Sequence, residues 1–378
     1  MRKSVLILVA VLLFQNILGW VFKNQSPAFL MIVNIASFLG YLVIFIMAIR
    51  IDLTDERIVS FIKITIFMSV YNVFVSLITK FGVYETEITP LLPTFYSQFG
   101  DNIMMGTFYH SEIYGEYGMV IFFLILPFLA IHRSYGISKK VLTLGLIISA
   151  LNCFLSFSRS SVALMIIGTI FFLFVYFSKK SSQSVFRQYA PFLLITVGVI
   201  AVLWGPLRLG FLIERFIYED LAAPITIGGE QNIITGEGTP REVAFSYFIK
   251  RLPQEDWFIG YGWGVPQSNK TAWFGDPNIK RADYHSLYLS LPMLYGWMGA
   301  VAFVMLILFL IYGLYKRVNT FKIISSYKEV ISVGLLLLLI AITINEYKIS
   351  LLRINTYHMI FWIWIGFGYS LLTSRREV

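Results

Sequence analysis

Residues 298–315 read MGAVAFVMLILFLIYGLY, a run of eighteen residues without a charged side chain, and Lys316 and Arg317 follow directly. An α-helix of this length approaches the ~30 Å thickness of the hydrocarbon core of a bilayer. Basic residues just after an apolar run are typical of the cytoplasmic end of a transmembrane helix. This stretch therefore predicts that the chain crosses a membrane as α-helices.

Working outward from this run, similar apolar stretches predict about ten transmembrane helices in all. The ten runs lie near Val5–Val21, Ala28–Ile49, Ile58–Ile78, Gly118–Ile131, Val141–Phe157, Val162–Phe177, Pro191–Trp204, Met298–Tyr315, Val330–Ile344 and Thr356–Leu372. Hydrophobic residues make up 57% of the chain and charged residues only 13%, which is too little charge to cover a soluble protein of this length. We therefore predict an all-α polytopic membrane protein that forms a single membrane domain, residues 1–378.

The basic residues predict the orientation of these helices, because they cluster in every second connection. The clusters are Arg2 and Lys3; Arg50 and Arg57; Arg133, Lys139 and Lys140; Lys179, Lys180 and Arg187; Lys316, Arg317, Lys322 and Lys328; and Arg375 and Arg376. The positive-inside rule assigns these loops and both termini to the cytoplasm. The alternate connections, 23–27, 79–117, 158–161, 205–283 and 346–355, are then extracytoplasmic.

Two of the outside connections, 79–117 and 205–283, are long and rich in acidic residues. They hold five and ten of the 21 acidic residues, respectively. Connections of such length tend to be functional or disordered, and Trp257, Trp263 and Trp273 argue against disorder. We therefore expect one large, ordered extracytoplasmic loop that carries a site.

Composition also excludes several functions. The net charge of +9 is divided among short clusters between apolar runs, which is not the pattern of a nucleic-acid-binding protein. The lone Cys153 cannot form an intramolecular disulfide. The sequence has no Asp-x-Asp, no His/Cys cluster and no Walker loop, so metal-dependent transfer from nucleotide sugars and ATP-driven transport are not supported, and no metal or other cofactor is expected.

Three segments carry candidate chemistry. They are Gly106–Gly115, Ser156–Leu164 and the stretch from Gly260-Tyr-Gly-Trp-Gly264 through Asp283-Tyr-His285-Ser286 to Gly296-Trp-Met-Gly299. The His-Ser pair, nine residues and then Gly-x-x-Gly resemble the signature that closes the long periplasmic loop of the O-antigen ligase and polymerase superfamily. Gly106–Gly115 resembles the Gly-x-Phe element of that superfamily, and Ser156–Leu164 resembles its Ser-Arg turn. Two departures are Ala300 after the signature and Asp101 and Asn102 where an arginine is common.

The resemblance implies a GT-C-like fold and a glycosyltransferase of the bacterial inner (cytoplasmic) membrane whose active site is extracytoplasmic. Such an enzyme transfers a glycan from an undecaprenyl-diphosphate carrier to a sugar hydroxyl without a metal. By position, the resemblance implies His285 as the catalytic residue and Arg241 as a substrate-binding residue, together with Arg215 or Arg208. Its implied partners are the lipid-linked donor and acceptor glycans and membrane lipid, with flippase and chain-length regulator proteins as further candidates.

The local sequence around Arg241 and His285 is compatible with these roles. Thr239-Pro-Arg-Glu242 has the pattern of a helix start, where a diphosphate would meet both the backbone N–H groups and the guanidinium of Arg241. Neutralisation of Arg241 by Glu242 and solvent is an equal alternative. We expect His285 to open a short helix that leads into the next span, where the helix dipole favours a neutral ring that can accept a proton.

The other basic candidates have structural alternatives of their own. Arg208 and Arg215 share one predicted helix face, yet Arg215 can pair with Glu219 and both can bind lipid headgroups. Arg159, at the tight outside turn, is a substrate-binding candidate that could also simply extend to the interface. His110 and His358 are interpreted as ordinary polar residues with satisfied hydrogen bonds.

The sequence leaves three functions open. The first is polymerisation of lipid-linked repeat units into O-antigen or capsular polysaccharide, with inversion at the anomeric carbon. The second is ligation of the finished glycan to lipid A core or to protein. The third is a non-enzymatic lipid-linked glycan flippase, which is disfavoured because Arg and Lys cluster at the ends of the spans, with Lys63 as an exception.

Overall fold

The computed structural model describes the chain over ten ranges. These are residues 2–23, 28–80, 111–130, 136–156, 158–177, 248–249, 257–263, 286–321, 326–348 and 355–373. Over these ranges the chain is all-helical and contains no strand. A helix satisfies its own backbone hydrogen bonds, which a chain surrounded by lipid requires.

Nine α-helices lie within the described ranges. In chain order they are α1 (Arg2–Phe22), α2 (Ala28–Arg50), α3 (Asp55–Lys80), α4 (Ser111–Ile125), α5 (Lys139–Leu155), α6 (Arg159–Phe177), α7 (Leu287–Asn319), α8 (Tyr327–Lys348) and α9 (Asn355–Thr373). Residues Leu126–Ala130 extend α4 as a short 3-10 helix.

The prediction of an all-α protein is confirmed over the described residues, and their apolar helices agree with a membrane-embedded protein. In the described part, α1, α2, α3, α7 and α8 are long and apolar enough to cross a membrane, and α4, α6 and α9 contain shorter apolar helices. Nine of the ten predicted apolar runs coincide with helices. The seventh run, residues 191–204, lies outside the described residues, so the count of ten spans stays a prediction.

Local sequence rules explain where several helices begin. Ser138 caps α5, since its hydroxyl accepts a hydrogen bond from the Val141 N–H at 3.3 Å. Ser326 and Glu329 form a capping box at the start of α8. The Ser326 N–H donates to Glu329 Oε2 at 3.0 Å, and the Glu329 N–H donates to Ser326 Oγ at 3.2 Å.

The chain divides into two compact units, each assembled from segments that are distant in sequence. The first unit comprises Met1–Ile51, Leu203–Leu310 and Glu346–Tyr369, and the second comprises Asp52–Val202, Ile311–Asn345 and Ser370–Val378. Helix α7 contributes residues to both. Whether the chain is a single membrane domain therefore stays a prediction.

In the first unit, aromatic side chains connect α7 to α9. Tyr295 stacks on Phe303 with ring centroids 6.1 Å apart, and Phe303 stacks on Phe361 at 5.7 Å. Helix α2 joins the same core through Phe45, whose ring lies 5.5 Å from that of Trp362. Such packing positions the start of α9 beside α2.

In the second unit, α4 is the buried centre. A side chain at Gly118 would lie 2.8 Å from the Ser149 carbonyl oxygen of α5, and one at Gly334 would lie 3.0 Å from the Phe123 carbonyl oxygen of α4. Small residues of this kind let membrane helices approach closely. Buried polar bonds add to the packing, because the Asn152 side-chain amide donates to Ser69 Oγ at 2.6 Å.

Candidate functional site

The segment Trp257–Trp263, which we call the glycine strap, binds directly to the backbone of α7. The Tyr261 N–H donates to the Met293 carbonyl at 2.6 Å, and the Gly262 N–H donates to the Leu294 carbonyl at 2.9 Å. In an unbroken helix these carbonyls would accept from residues four positions later. Backbone N–H groups of the strap therefore bond to the two carbonyls of α7 that helical N–H groups would otherwise fill.

The same region of α7 is kinked at Gly296. Its φ of 68° and ψ of 173° lie in a region that is essentially restricted to glycine. Because the helix is interrupted there, the Trp297 N–H does not bond within α7 but donates to the Trp257 carbonyl of the strap at 2.9 Å. The predicted short helix that leads into the next span is thus confirmed as Leu287–Tyr295, and the kink separates it from the span.

Glycines make the close approach of strap and helix possible. A side chain at Gly296 would collide with the Phe258 carbonyl oxygen, and one at Gly260 would lie 2.6 Å from the Leu294 carbonyl. Gly299 is crowded by the side chains of Tyr295 and Gln15. At Gly260, Gly296 and Gly299, therefore, the surrounding atoms leave no room for a side chain.

Helix α1 holds the other side of the strap. The Trp263 N–H donates to Asn16 Oδ1 at 2.7 Å, and the Trp20 indole N–H donates to the Trp263 carbonyl at 3.1 Å. Lys23 places its ammonium 5.5 Å from the ring centroid of Tyr261. Gly19 completes this contact, since a side chain there would lie 2.5 Å from the Gly260 carbonyl oxygen.

Most of the predicted site residues lie outside the described residues. These are His285, Arg241, Arg215 and Arg208. The first described residue after His285 is Ser286, whose carbonyl accepts a hydrogen bond from the Ser290 N–H at 3.1 Å in the first turn of α7. The helix begins at Leu287, two residues after the predicted start at His285, and the role of His285 stays a prediction.

The Ser-Arg turn is a tight connection between α5 and α6, as predicted, and Arg159 is the first residue of α6. The Ser158 N–H donates to Ser156 Oγ at 3.1 Å, and the hydroxyl groups of Ser158 and Ser161 lie 2.9 Å apart. Gly115 packs against this turn, because a side chain there would lie 2.7 Å from Ser158 Cβ. The structure thus brings the end of the first predicted segment onto the second.

A buried carboxylate adjoins this contact and was not singled out from the sequence. Glu116, in the second turn of α4, is fully buried, and the side-chain amide of Asn345 in α8 donates to its Oε2 at 2.5 Å. Charged groups inside membrane helices are costly and are commonly functional. The signal that could have identified Glu116 is a charged residue just before the apolar stretch of α4.

The sequence analysis did not single out Asn16, and its interpretation of His358 as a polar residue with satisfied hydrogen bonds is wrong, because neither ring nitrogen of His358 has a hydrogen-bond partner among the described residues. Asn16 is a fully buried polar residue inside the first apolar run, and His358 is 1% exposed in the last one. Both meet the same strap residue, since the ring centroid of His358 lies 4.0 Å from that of Trp263. Polar residues within apolar runs were the available signal for both.

Comparison with known proteins does not identify the family, because no family model and no curated protein matches this sequence.

Proposed function

We propose that this protein polymerises undecaprenyl-diphosphate-linked oligosaccharide repeat units into O-antigen or capsular polysaccharide. It would be a GT-C-like, metal-independent glycosyltransferase of the bacterial inner membrane, with ten spans and an extracytoplasmic site. The observation that carries the proposal is the bonding of the glycine strap to the kinked start of α7, which begins two residues after His285. This contact gives a structural reason for Gly296 of the signature from which the function was inferred, and for Gly260 upstream of it.

In the proposed reaction an acceptor sugar hydroxyl attacks the anomeric carbon of the donor glycan. The new glycosidic C–O bond forms as the bond to the diphosphate breaks, and the electron pair leaves with the diphosphate. His285 takes the proton of the attacking hydroxyl, while Arg241 and Arg215 or Arg208 hold the departing negative charge, with Arg159 as a further binding candidate. A single displacement of this kind inverts the anomeric configuration.

The test replaces His285 in a strain that lacks the chromosomal copy of the gene. A positioned base contributes roughly 10²–10⁴-fold, so His285→Ala is expected to lose about that much in rate and to leave single repeat units on their carrier. His285→Asn can keep a hydrogen bond but cannot take the proton, so we expect a comparable loss. Polymer length on gels measures the result, and His132→Asn, beside the predicted cytoplasmic cluster at Arg133, is the control that should behave as wild type.

Other outcomes would redirect the proposal. A wild-type rate for His285→Asn would limit His285 to orienting the acceptor. Failure of the wild-type chain itself to restore polymer would exclude a polymerase. If the strain without the protein still makes long chains that stay on the carrier, the protein is a ligase.

The buried pair of Glu116 and Asn345 favours a second candidate of a different class, a transporter of lipid-linked glycans. A hydrogen-bonded carboxylate within the helices is the kind of group that transport pathways use. A transporter would leave single repeat units on the cytoplasmic leaflet of the strain without the protein. A polymerase would leave them on the outer leaflet, where an added glycosidase can reach them in spheroplasts.

A further inference from the structure

His358, in the first turn of α9, is enclosed by aromatic rings. Its side chain is 1% exposed. The ring centroids of Trp263 and Tyr41 lie 4.0 Å and 4.5 Å from that of His358, and those of Trp362 and Phe361 lie 6.1 Å and 6.4 Å away. The imidazole therefore occupies a place in the first unit that an apolar aromatic ring would fill.

The polar atoms of this imidazole have no hydrogen-bond partner in the part of the chain that the structure describes. An imidazole always has at least one N–H donor, and its neutral form also has one bare nitrogen that accepts. The two neighbouring indole N–H groups do not meet this need. That of Trp263 bonds to the Tyr41 hydroxyl, and that of Trp362 makes no hydrogen bond to His358 or to any other group of the described residues. Burying a polar group without a partner costs about as much as losing a hydrogen bond, so a histidine in such a place calls for a partner.

The position of His358 points to a ligand of the strap region. Trp263, which covers it, belongs to the strap, and the side chains of Asn16 and Trp20 bond to the Trp263 backbone. Binding sites for small polar ligands are lined mostly by aromatic and apolar side chains, with a few placed polar groups that fix the orientation. A sugar has the matching chemistry, because its hydroxyl groups both donate and accept hydrogen bonds while its C–H faces pack on aromatic rings.

We propose that His358 hydrogen-bonds a hydroxyl group of the glycan substrate beneath the strap residue Trp263. This inference rests on the proposed function, since it names a second substrate-binding imidazole for the same transfer. His358 would act in binding, separately from the proton transfer assigned to His285. Substrate entry then requires Trp263 to give way.

The test is His358→Phe, which keeps an aromatic ring in an aromatic environment and removes both nitrogens. We expect the thermal midpoint of the purified protein to stay unchanged or to rise. The concentration of lipid-linked glycan at half-maximal rate should rise about two- to tenfold, which is the effect of one lost hydrogen bond. His358→Gln keeps a donor and an acceptor and should recover part of the loss. Tyr369→Phe is the matched control, because it also removes a polar atom from a buried aromatic residue of the same helix, and wild-type binding is expected for it.

The outcomes separate this proposal from the proposed function. Wild-type kinetics for His358→Phe, while His285→Asn is impaired, would make His358 a packing residue and leave the proposed function intact. A large fall in the thermal midpoint of His358→Phe would mean that its partner is another part of the chain, which also overturns the proposal. If the wild-type protein does not extend lipid-linked repeat units extracted from its own host, the proposed function fails first.

Discussion

Gly296 allows the kink in α7 because it has no side chain. Its φ of 68° and ψ of 173° interrupt α7, and the interruption frees the Trp297 N–H and the Met293 carbonyl for the strap. Any β-carbon at this position would meet the Phe258 carbonyl oxygen. A residue in such a conformation costs about 1–3 kcal/mol even before the steric clash is counted.

The first prediction at this scale is that Gly296→Ala destabilises the protein by at least about 1–3 kcal/mol. The added methyl group strains the backbone and displaces the strap from the kink. A fall in the thermal midpoint of detergent-solubilised protein measures the effect. Gly40→Ala is the control, because nothing lies within 4 Å of the added atom and alanine is the better helix former. Equal stability of the two variants would show that the strap does not need the kink.

His358 belongs to the residue scale as well, and its test separates stability from function. Removing an unpartnered buried imidazole should not lower stability, so a loss of substrate binding in His358→Phe cannot be attributed to unfolding. The opposite pattern is expected of Gly296→Ala, where stability falls first. The two variants together distinguish a residue that binds substrate, His358, from a residue that fixes the backbone conformation, Gly296.

At the scale of elements, the strap is a loop held in place by two helices. Backbone groups of α7 bind one side of it, and a side-chain amide of α1 binds the other. Asn16 suits this position because it serves two neighbours. Its amide nitrogen donates to the Leu12 carbonyl at 2.9 Å, and its oxygen remains to accept from Trp263.

Our prediction at this scale is that Asn16→Leu loosens the strap. The buried Trp263 N–H would lose its acceptor, at a cost of about 1–3 kcal/mol. The chain has a single, buried cysteine, so a cysteine introduced at Tyr261 can report on the strap through its rate of maleimide labelling. That rate should rise in Asn16→Leu. It should not change in the control Asn34→Leu, since the side-chain nitrogen of Asn34 has no partner in the described part. Unchanged labelling in both would show that α7 alone holds the strap.

At the scale of the whole molecule, helices that are neighbours in sequence do not always belong to the same compact unit. The first compact unit combines α1 and α2 with the strap, the first part of α7 and most of α9, whereas α3 to α6 and most of α8 belong to the second. Long stretches of chain therefore separate groups that bond to each other.

We expect the basic clusters to set the topology. Reporter fusions after Gly236 should indicate an extracytoplasmic location, and fusions after Lys180 or Lys322 a cytoplasmic one, because positively charged loops are retained inside. The paired reporters alkaline phosphatase and green fluorescent protein measure this, and a fusion after Lys140 is the cytoplasmic control. A cytoplasmic signal after Gly236 would place the long loop, and with it His285, on the wrong side for the proposed reaction.

For the part of the chain that the structure describes, the sequence alone determined the apolar helices, because a run of apolar residues long enough to cross a bilayer has few alternatives to a helix. It also indicated the turn at Arg159 and the short helix after His285, since both depend on residues close in sequence. The strap contact depended on the tertiary structure: Asn16 and Trp263 are 247 residues apart and bond at 2.7 Å. The burial of Glu116 and the aromatic enclosure of His358 were likewise decided by packing. No local pattern encodes which distant residue fills a hydrogen bond or covers a ring, because that depends on the way the helices assemble.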